Sequence, residues 1–134
     1  MSPDAIGEAI RQVVETGHHD VVSVYLFGSS ARGTRRSDSD VDVGVLVEGQ
    51  PPRTLAGLRL DLEGELERAL GHEVQLVVLN NAPPDLVHRV LRDGRLLLDR
   101  DPSTRIRFET SARREYFDLL PYVRRYRRLD PPLA

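Results

Sequence analysis

The sequence contains no cysteine and no lysine, so all 19 of its basic residues are arginine. The absence of cysteine excludes disulfides, thiolate metal sites and a thiol nucleophile. The absence of lysine excludes Schiff-base chemistry and a Walker-type lysine, so phosphate would have to be bound by arginine, backbone N–H groups or a metal ion. No apolar run approaches the ~20 residues of a membrane span, and the N-terminal segment has no apolar signal-peptide core. We therefore expect a soluble, cytoplasmic protein without a membrane partner.

Neither sign of charge dominates, since the formal net charge is only −2. The charges are unevenly distributed, however. Residues 1–100 carry 11 arginines against 16 acidic residues, whereas residues 101–134 carry 8 arginines against 5 acidic residues. The small basic excess of the C-terminal segment, attached to an acidic body, does not predict direct nucleic-acid binding. It leaves two interpretations, a solvated helix face or a surface for a partner.

Apolar periodicity predicts alternating helices and strands along the 134 residues. The predicted strands cover residues 21–27, 40–48, 73–80 and 95–99. The predicted helices cover residues 3–17, the segment after Pro52 as far as Leu70, residues 84–93 and a long C-terminal stretch from Pro102 to about Leu129. A turn with a short helix is expected within residues 28–39. The short connections predict one α/β domain over residues 1–134, with residues 101–134 as a helical extension.

Two carboxylates open the second predicted strand, in the segment YLFGSSARGTRRSDSDVDVGVLV (residues 25–47). Because side chains alternate along a strand, Asp40 and Asp42 should share one face, while the intervening valines face a core. Two neighbouring carboxylates repel each other unless a cation lies between them. Oxygen ligands of this kind suit Mg²⁺ or Mn²⁺, with water and substrate phosphates completing the coordination shell.

A Gly-Ser turn ends the preceding strand, at Gly28 and Ser29. Glycine permits a tight turn and the close approach of a phosphate, and N–H groups at the start of a helix bind anions. A phosphate-binding turn opposite a divalent-metal pair predicts phosphoryl or nucleotidyl transfer. Arg32, in the loop that follows, is a candidate phosphate ligand, with a solvated loop cation as the alternative.

The spacing of these residues resembles a known signature. Gly-Ser, ten residues and then Asp-x-Asp is the pattern of the DNA polymerase β-type nucleotidyltransferases, and it is present here as Gly28-Ser29 followed by Asp40-Val41-Asp42. The surrounding residues, and the segment VQLVVLNNAPPDLVHRVLRDGRLLLDRD (74–101), resemble the minimal nucleotidyltransferase, or MNT, proteins. The resemblance implies the nucleotidyltransferase fold, a small mixed β-sheet with helices packed against it.

The same resemblance implies roles for individual residues. Asp40 and Asp42 would be the catalytic residues and would hold the metal ion. The nucleotide triphosphate would be bound by the turn and the residues after it, namely Gly28, Ser29, Ser30 and Arg32.

One position departs from the family pattern. Many relatives carry a third carboxylate on the next strand, and the matching position here is Gln75. An amide binds a hard cation weakly and cannot act as a base at neutral pH. Loss of a general base typically costs about 10²- to 10⁴-fold in rate. Glu73, two residues earlier on the same predicted face, is a candidate substitute.

The resemblance implies an enzyme, an MNT-type antitoxin that transfers AMP from ATP, with Mg²⁺ or Mn²⁺, to a hydroxyl of a HEPN-domain toxin. In the family the acceptor is a tyrosine. A second hypothesis is a catalytically weak or inactive MNT scaffold that neutralises its toxin by binding, since Gln75 replaces the third carboxylate. A third, a small-molecule nucleotidyltransferase, would need an additional helical domain to cover the acceptor.

The C-terminal segment holds every tyrosine except Tyr25, together with eight arginines. Arginine and tyrosine are enriched at protein interfaces. Part of this aromatic stripe must pack on the domain. We expect the rest to form a partner surface, with core packing alone as the alternative.

Overall fold

The computed structural model describes residues 2–32, 40–49 and 55–129, without the side chains of residues 32, 55–60, 123, 124 and 126–129. This part of the chain contains four strands and five helices. The helices are α1 (Pro3–Gly17), α2 (Ser29–Arg32), α3 (Leu55–Leu70), α4 (Pro84–Asp93) and α5 (Pro102–Leu129). The strands are β1 (Val21–Phe27), β2 (Val41–Val47), β3 (Val74–Val78) and β4 (Arg95–Asp99). Within the described ranges, none of the helices combines the length and the apolar composition needed to cross a bilayer.

The four strands form one mixed sheet in the order β3-β2-β1-β4. β1 is antiparallel to both of its neighbours, β2 and β4, whereas β2 and β3 are parallel. A parallel pair needs a crossover connection, and the segment that contains α3 provides it. This architecture confirms the predicted fold class, a small mixed sheet with helices packed against it and a long C-terminal helix.

One face of the sheet is covered by α1 and α3. The valines of β2 at positions 41, 43, 45 and 47 all point into this core, as their alternation with the carboxylates predicts. They meet apolar side chains of the two helices, among them Ile10 of α1 and Leu62 and Leu66 of α3, each fully buried. α1 begins where the sequence predicts, because the Ser2 hydroxyl accepts a hydrogen bond from the backbone N–H of Ala5 (3.1 Å).

The opposite face is covered by α4 and α5 around a smaller cluster. Tyr25 and Phe27 of β1 meet Val87 and Val90 of α4 there, and Phe108 of α5 packs against the cluster. α4 in turn supports α5, since the His88 ring stacks on Tyr116 with ring centroids 3.7 Å apart and an interplanar angle of 3°. α4 therefore lies between the sheet and the C-terminal helix.

A partly buried polar network fixes the first turns of α5 to the sheet. The Tyr25 hydroxyl donates a hydrogen bond to Glu109 Oε1 (2.7 Å). Arg105 donates to Asp99 Oδ2 (2.8 Å) and to Glu109 Oε2 (3.0 Å). Burial, together with the hydrogen bond to Glu109, raises the pKa of Tyr25, so its phenol remains a proton donor at neutral pH. The network joins β1, β4 and α5 through charge-assisted hydrogen bonds.

Two strands are shorter than predicted. β2 runs from Val41 to Val47 instead of 40–48, so Asp40 precedes it, and β3 runs from Val74 to Val78 instead of 73–80, before a 3₁₀ turn over Leu79–Asn81. The early end of β3 follows from Asn80, whose side chain accepts a hydrogen bond from the N–H of Val47 and donates one to its C=O, both at 2.9 Å. Because this side chain occupies the backbone groups that a longer β3 would pair with, the ladder stops there.

The network gives a first prediction. Tyr25→Phe removes the phenol donor while keeping the apolar ring, so we expect the free energy of unfolding at pH 7 to fall by about 1 kcal/mol. Urea unfolding followed by circular dichroism measures it. Arg11→Ala is the matched control, since it breaks an exposed pair with Glu15 (2.8 Å) and should cost less than Tyr25→Phe does. Equal losses for the two variants would contradict the role assigned to the phenol.

The same variant tests the raised pKa of Tyr25. Because that pKa lies above its ordinary value of about 10, the unfolded chain ionises at this residue before the folded chain does. The stability that the neutral phenol contributes is therefore full below pH 10 and is lost as the pH rises beyond it. The difference in unfolding free energy between wild type and Tyr25→Phe should shrink as the pH rises above about 10.

Candidate functional site

A cleft of about 490 Å³ lies on the α4 side of the sheet. One wall consists of the end of β1, the turn after it and the first residues of β2 and β3, and the other wall is α4. Its described lining residues are Phe27, Gly28, Ser29, Asp42, Gln75, Val77, Leu86, Arg89 and Asp93. The cleft therefore combines a glycine-serine turn, carboxylates, an amide, a guanidinium and apolar side chains.

Strand register brings the sequence-predicted polar residues to this cleft. Asp42 pairs with Phe27 across the antiparallel β1–β2 ladder and with Gln75 across the parallel β2–β3 ladder. Paired residues on neighbouring strands lie ~4.8 Å apart and project to the same face. Gln75 therefore lies beside Asp42 in the cleft.

The turn and the carboxylate are in close contact at Gly28. This residue has a φ of +71°, a conformation that L side chains rarely adopt. A Cβ built on it would lie only 2.3 Å from Asp42 Oδ2. Only glycine therefore allows both the turn and the present position of the Asp42 carboxylate. A carboxylate held against a backbone turn offers oxygen ligands alone, which is the donor set that fits a hard divalent cation.

The other predicted site residues differ in their position relative to the cleft. Ser29 lines the cleft, whereas Ser30 is 1% exposed, lies outside the lining, and has an Oγ with no hydrogen-bond partner in the described part of the chain. Asp40 is exposed and lies just before β2, also outside the lining. Arg32 ends α2, and its side chain lies outside the described atoms. Roles for Ser30, Asp40 and Arg32 in binding stay predictions.

The candidate substitute for the third carboxylate, Glu73, is exposed and precedes β3. Its carbonyl accepts a hydrogen bond from the N–H of Val41 (2.9 Å), and it does not line the cleft. Nowhere in the described ranges do three or more His, Asp or Glu side chains gather into a metal-binding group. Among the described lining residues, the carboxylates are those of Asp42 and Asp93, whose oxygens are of the type that a hard divalent cation takes as ligands.

The α4 wall was missed by the sequence analysis. Leu86, Arg89 and Asp93 are spaced three and four residues apart, so they lie on one face of α4 and point into the cleft. Asp93 also forms a two-point ion pair with its neighbour Arg92, with both N–O distances 2.9 Å. The amphipathic pattern of α4 marks which face is buried, but it does not tell which part of the protein its other face meets.

Comparison with known families places this cleft in context. The family model described as "Polymerase beta, Nucleotidyltransferase" matches residues 8–103. The matched segment runs from α1 to the start of α5 and contains every described residue of the cleft lining.

Two relatives are each 37% identical to this chain over the residues that align. A candidate protein adenylyltransferase of Methanocaldococcus jannaschii aligns over 76 residues, which are 57% of this chain and 78% of that protein. The protein adenylyltransferase MntA of Shewanella oneidensis aligns over 75 residues, which are 55% of this chain and 51% of that protein.

A solved structure shows the shared fold. It is that of the tri-AMPylated Shewanella oneidensis HEPN toxin in complex with MNT antitoxin. A chain in it matches with a TM-score of 0.67 at 20% identity, over 95% of this chain and 93% of that chain.

The contact at Gly28 gives a second prediction. Gly71 has nearly the same φ (+69°), but a Cβ on it would meet nothing within 4 Å, so Gly71→Ala is a matched control for backbone strain. We expect Gly28→Ala to lower the free energy of unfolding by about 1 kcal/mol more than Gly71→Ala does, because it also displaces the Asp42 carboxylate.

A double-mutant cycle checks the cause of that excess cost. Adding Asp42→Ala removes the carboxylate oxygen that the new Cβ would meet, so the excess cost of Gly28→Ala should largely disappear. An excess that persists without the carboxylate would show that the strain has another origin.

Proposed function

The chain belongs to the polymerase beta nucleotidyltransferase family, and from that membership we propose that it is an antitoxin-type protein adenylyltransferase. Its reaction would transfer AMP from ATP to a hydroxyl, a tyrosine phenol, of a HEPN-domain toxin. The observation that carries this proposal is the cleft in which Asp42 lies against the Gly28 turn, with Ser29 beside it.

The proposed transfer is a displacement at phosphorus. The acceptor oxygen attacks the α-phosphorus of ATP, the bond to the β-phosphate breaks, pyrophosphate leaves, and the hydroxyl proton is lost to water or to a base. The protein must therefore hold the triphosphate, orient the α-phosphate and bring the acceptor oxygen to it.

The first two tasks are assigned to residues in the cleft or next to it in sequence. We propose that Gly28 and Ser29, with Ser30 and Arg32 after them, hold the triphosphate, because a side-chain-free turn allows phosphate oxygens to approach the backbone. Asp40 and Asp42 would hold a divalent cation, Mg²⁺ or Mn²⁺. When bound, that cation would neutralise charge on the phosphates.

The partner is proposed from the relatives and from α5. MntA of Shewanella oneidensis is named a protein adenylyltransferase, and the structural neighbour contains an AMPylated HEPN toxin with an MNT antitoxin. On the present chain, α5 carries large apolar side chains that are more than half exposed, Ile106 (51%), Phe117 (58%) and Tyr122 (68%). Such side chains are typical of protein interfaces, so we propose this surface of α5 as a contact for the toxin.

Gln75 favours a second candidate function, that of a scaffold that neutralises the toxin by binding alone. It lies beside Asp42 in the cleft, where its amide can neither take up the acceptor proton nor add charge to a metal site. We favour the enzyme, because a phenol has a pKa of about 10 and needs less help from a base than an aliphatic alcohol does.

Mass spectrometry of the toxin separates the two functions and is our third prediction. After incubation of a cognate HEPN toxin with Mg²⁺-ATP, the wild-type chain should add the mass of AMP to the toxin. The isosteric double variant Asp40→Asn/Asp42→Asn should add none, since it keeps the side-chain shapes but loses the charge that holds the cation. Full neutralisation of an unmodified toxin, by both proteins and without ATP, would establish the scaffold instead.

A fourth prediction concerns the amide. Gln75→Asp supplies a base and a metal ligand, so AMP transfer should rise by roughly tenfold or more. The new carboxylate would repel that of Asp42, so the apo protein should lose stability and regain it with Mg²⁺. Gln75→Asn has the same shape without the charge and serves as the control. Equal transfer rates for these two variants would show that a carboxylate here brings no gain.

A further inference from the structure

The α4 wall of the cleft carries a cation that neither the family signature nor the sequence pattern assigns. We propose that Arg89 of α4 binds the phosphates of the nucleotide from the side opposite the Gly28-Ser29 turn. This inference rests on the proposed function, since it concerns the same cleft and the same substrate.

The position of Arg89 is fixed by the packing of α4. Val87 and Val90 of this helix are 3% and 0% exposed, and both pack against the sheet. The helix also ends in tight contact with β1, because a Cβ on Gly94 would lie 2.4 Å from the carbonyl oxygen of Val90 and 3.3 Å from that of Leu26. A helix anchored at these points holds Arg89 over the cleft, so little backbone entropy remains to be lost when a ligand binds.

Among the nine described lining residues, Arg89 is the basic one, and Asp42 and Asp93 are the acidic ones. Of these residues, Arg89 is therefore the one whose charge could bind an anionic ligand directly. Arg92 and Arg95, the next arginines along the chain, pair with Asp93 and Asp4 respectively, whereas no carboxylate of the described residues forms an ion pair with Arg89. Its guanidinium is exposed at the cleft and has donors for an incoming group.

A triphosphate supplies the matching charge. It stays anionic after binding one divalent cation, and the chain has no lysine with which to neutralise the remainder. A guanidinium suits this task because its planar donors bind two phosphate oxygens at once. The Gly28-Ser29 turn and Arg89 line opposite sides of one cleft, so a phosphate chain lying between them would be bound from both sides.

The experiment is calorimetric titration of the full chain with Mg²⁺ and a non-hydrolysable ATP analogue. Arg89→Ala should weaken binding by at least about tenfold, the usual cost of losing a charge-assisted hydrogen bond. Arg95→Ala changes the net charge equally at an exposed pair with Asp4 (3.0 Å) outside the cleft, so its affinity should stay within about twofold of wild type. Arg89→Lys keeps the positive charge but loses the planar set of donors, so its affinity should fall between those of Arg89→Ala and wild type.

Adenosine is the second probe, since it has no phosphate. Its affinity should be the same for wild type and Arg89→Ala. An equal weakening of adenosine and of the ATP analogue would overturn the assignment to phosphate. Arg89 is exposed, so its variants should fold, and circular dichroism checks this. Arg89→Gln carries the comparison if the alanine variant does not fold.

The outcomes separate this inference from the proposed function. If the wild-type chain does not bind the analogue, both fail. If wild type and Arg89→Ala bind it equally well, the role of Arg89 is overturned while the adenylyltransferase proposal stands. Equal binding together with slower AMP transfer to the toxin would also overturn it, because Arg89 would then act on the acceptor.

Discussion

The register of β2 against its two neighbours is the constraint on which the cleft depends. Phe27, Asp42 and Gln75 form one row across three strands only in the observed pairing. A slip of one residue would turn Asp42 into the valine core and bring Val41 to the cleft, so the apolar alternation that builds the core also holds the carboxylate in place. The position of this row of residues is therefore set by the apolar side chains of the core.

Gly28 couples this row to the turn before α2. Its left-handed backbone allows the chain to leave β1 sharply, and the missing side chain leaves room for the Asp42 carboxylate. One residue type thus meets a conformational and a steric requirement at a single position. The same closeness would give the proposed phosphate and the proposed divalent cation adjacent places, which is the arrangement that nucleotidyl transfer needs.

α4 connects the cleft with the C-terminal helix. One of its faces lines the cleft through Leu86, Arg89 and Asp93, while His88 stacks on Tyr116 of α5. The network around Glu109 holds the start of α5 independently. α4 therefore supports both the proposed nucleotide site and the proposed toxin surface. A displacement of α4 would change the position of residues in both.

Local patterns in the sequence determined the helices and strands and the polar residues of one wall of the cleft, the wall formed by β1, β2 and β3. These patterns are the valines of β2, the Ser2 cap, and the Gly-Ser and Asp-x-Asp spacing. Each of them depends on residues close together along the chain. The strands, the start of α1 and the motif, with Gln75 at the altered position, therefore followed from the sequence. The tertiary structure alone decided that Arg89 stands opposite that motif and that Asn80 ends β3. The reason is physical: periodicity tells which face of a helix is buried, but the neighbour of its polar face, like the partner of Asn80, is set by packing between segments far apart in sequence.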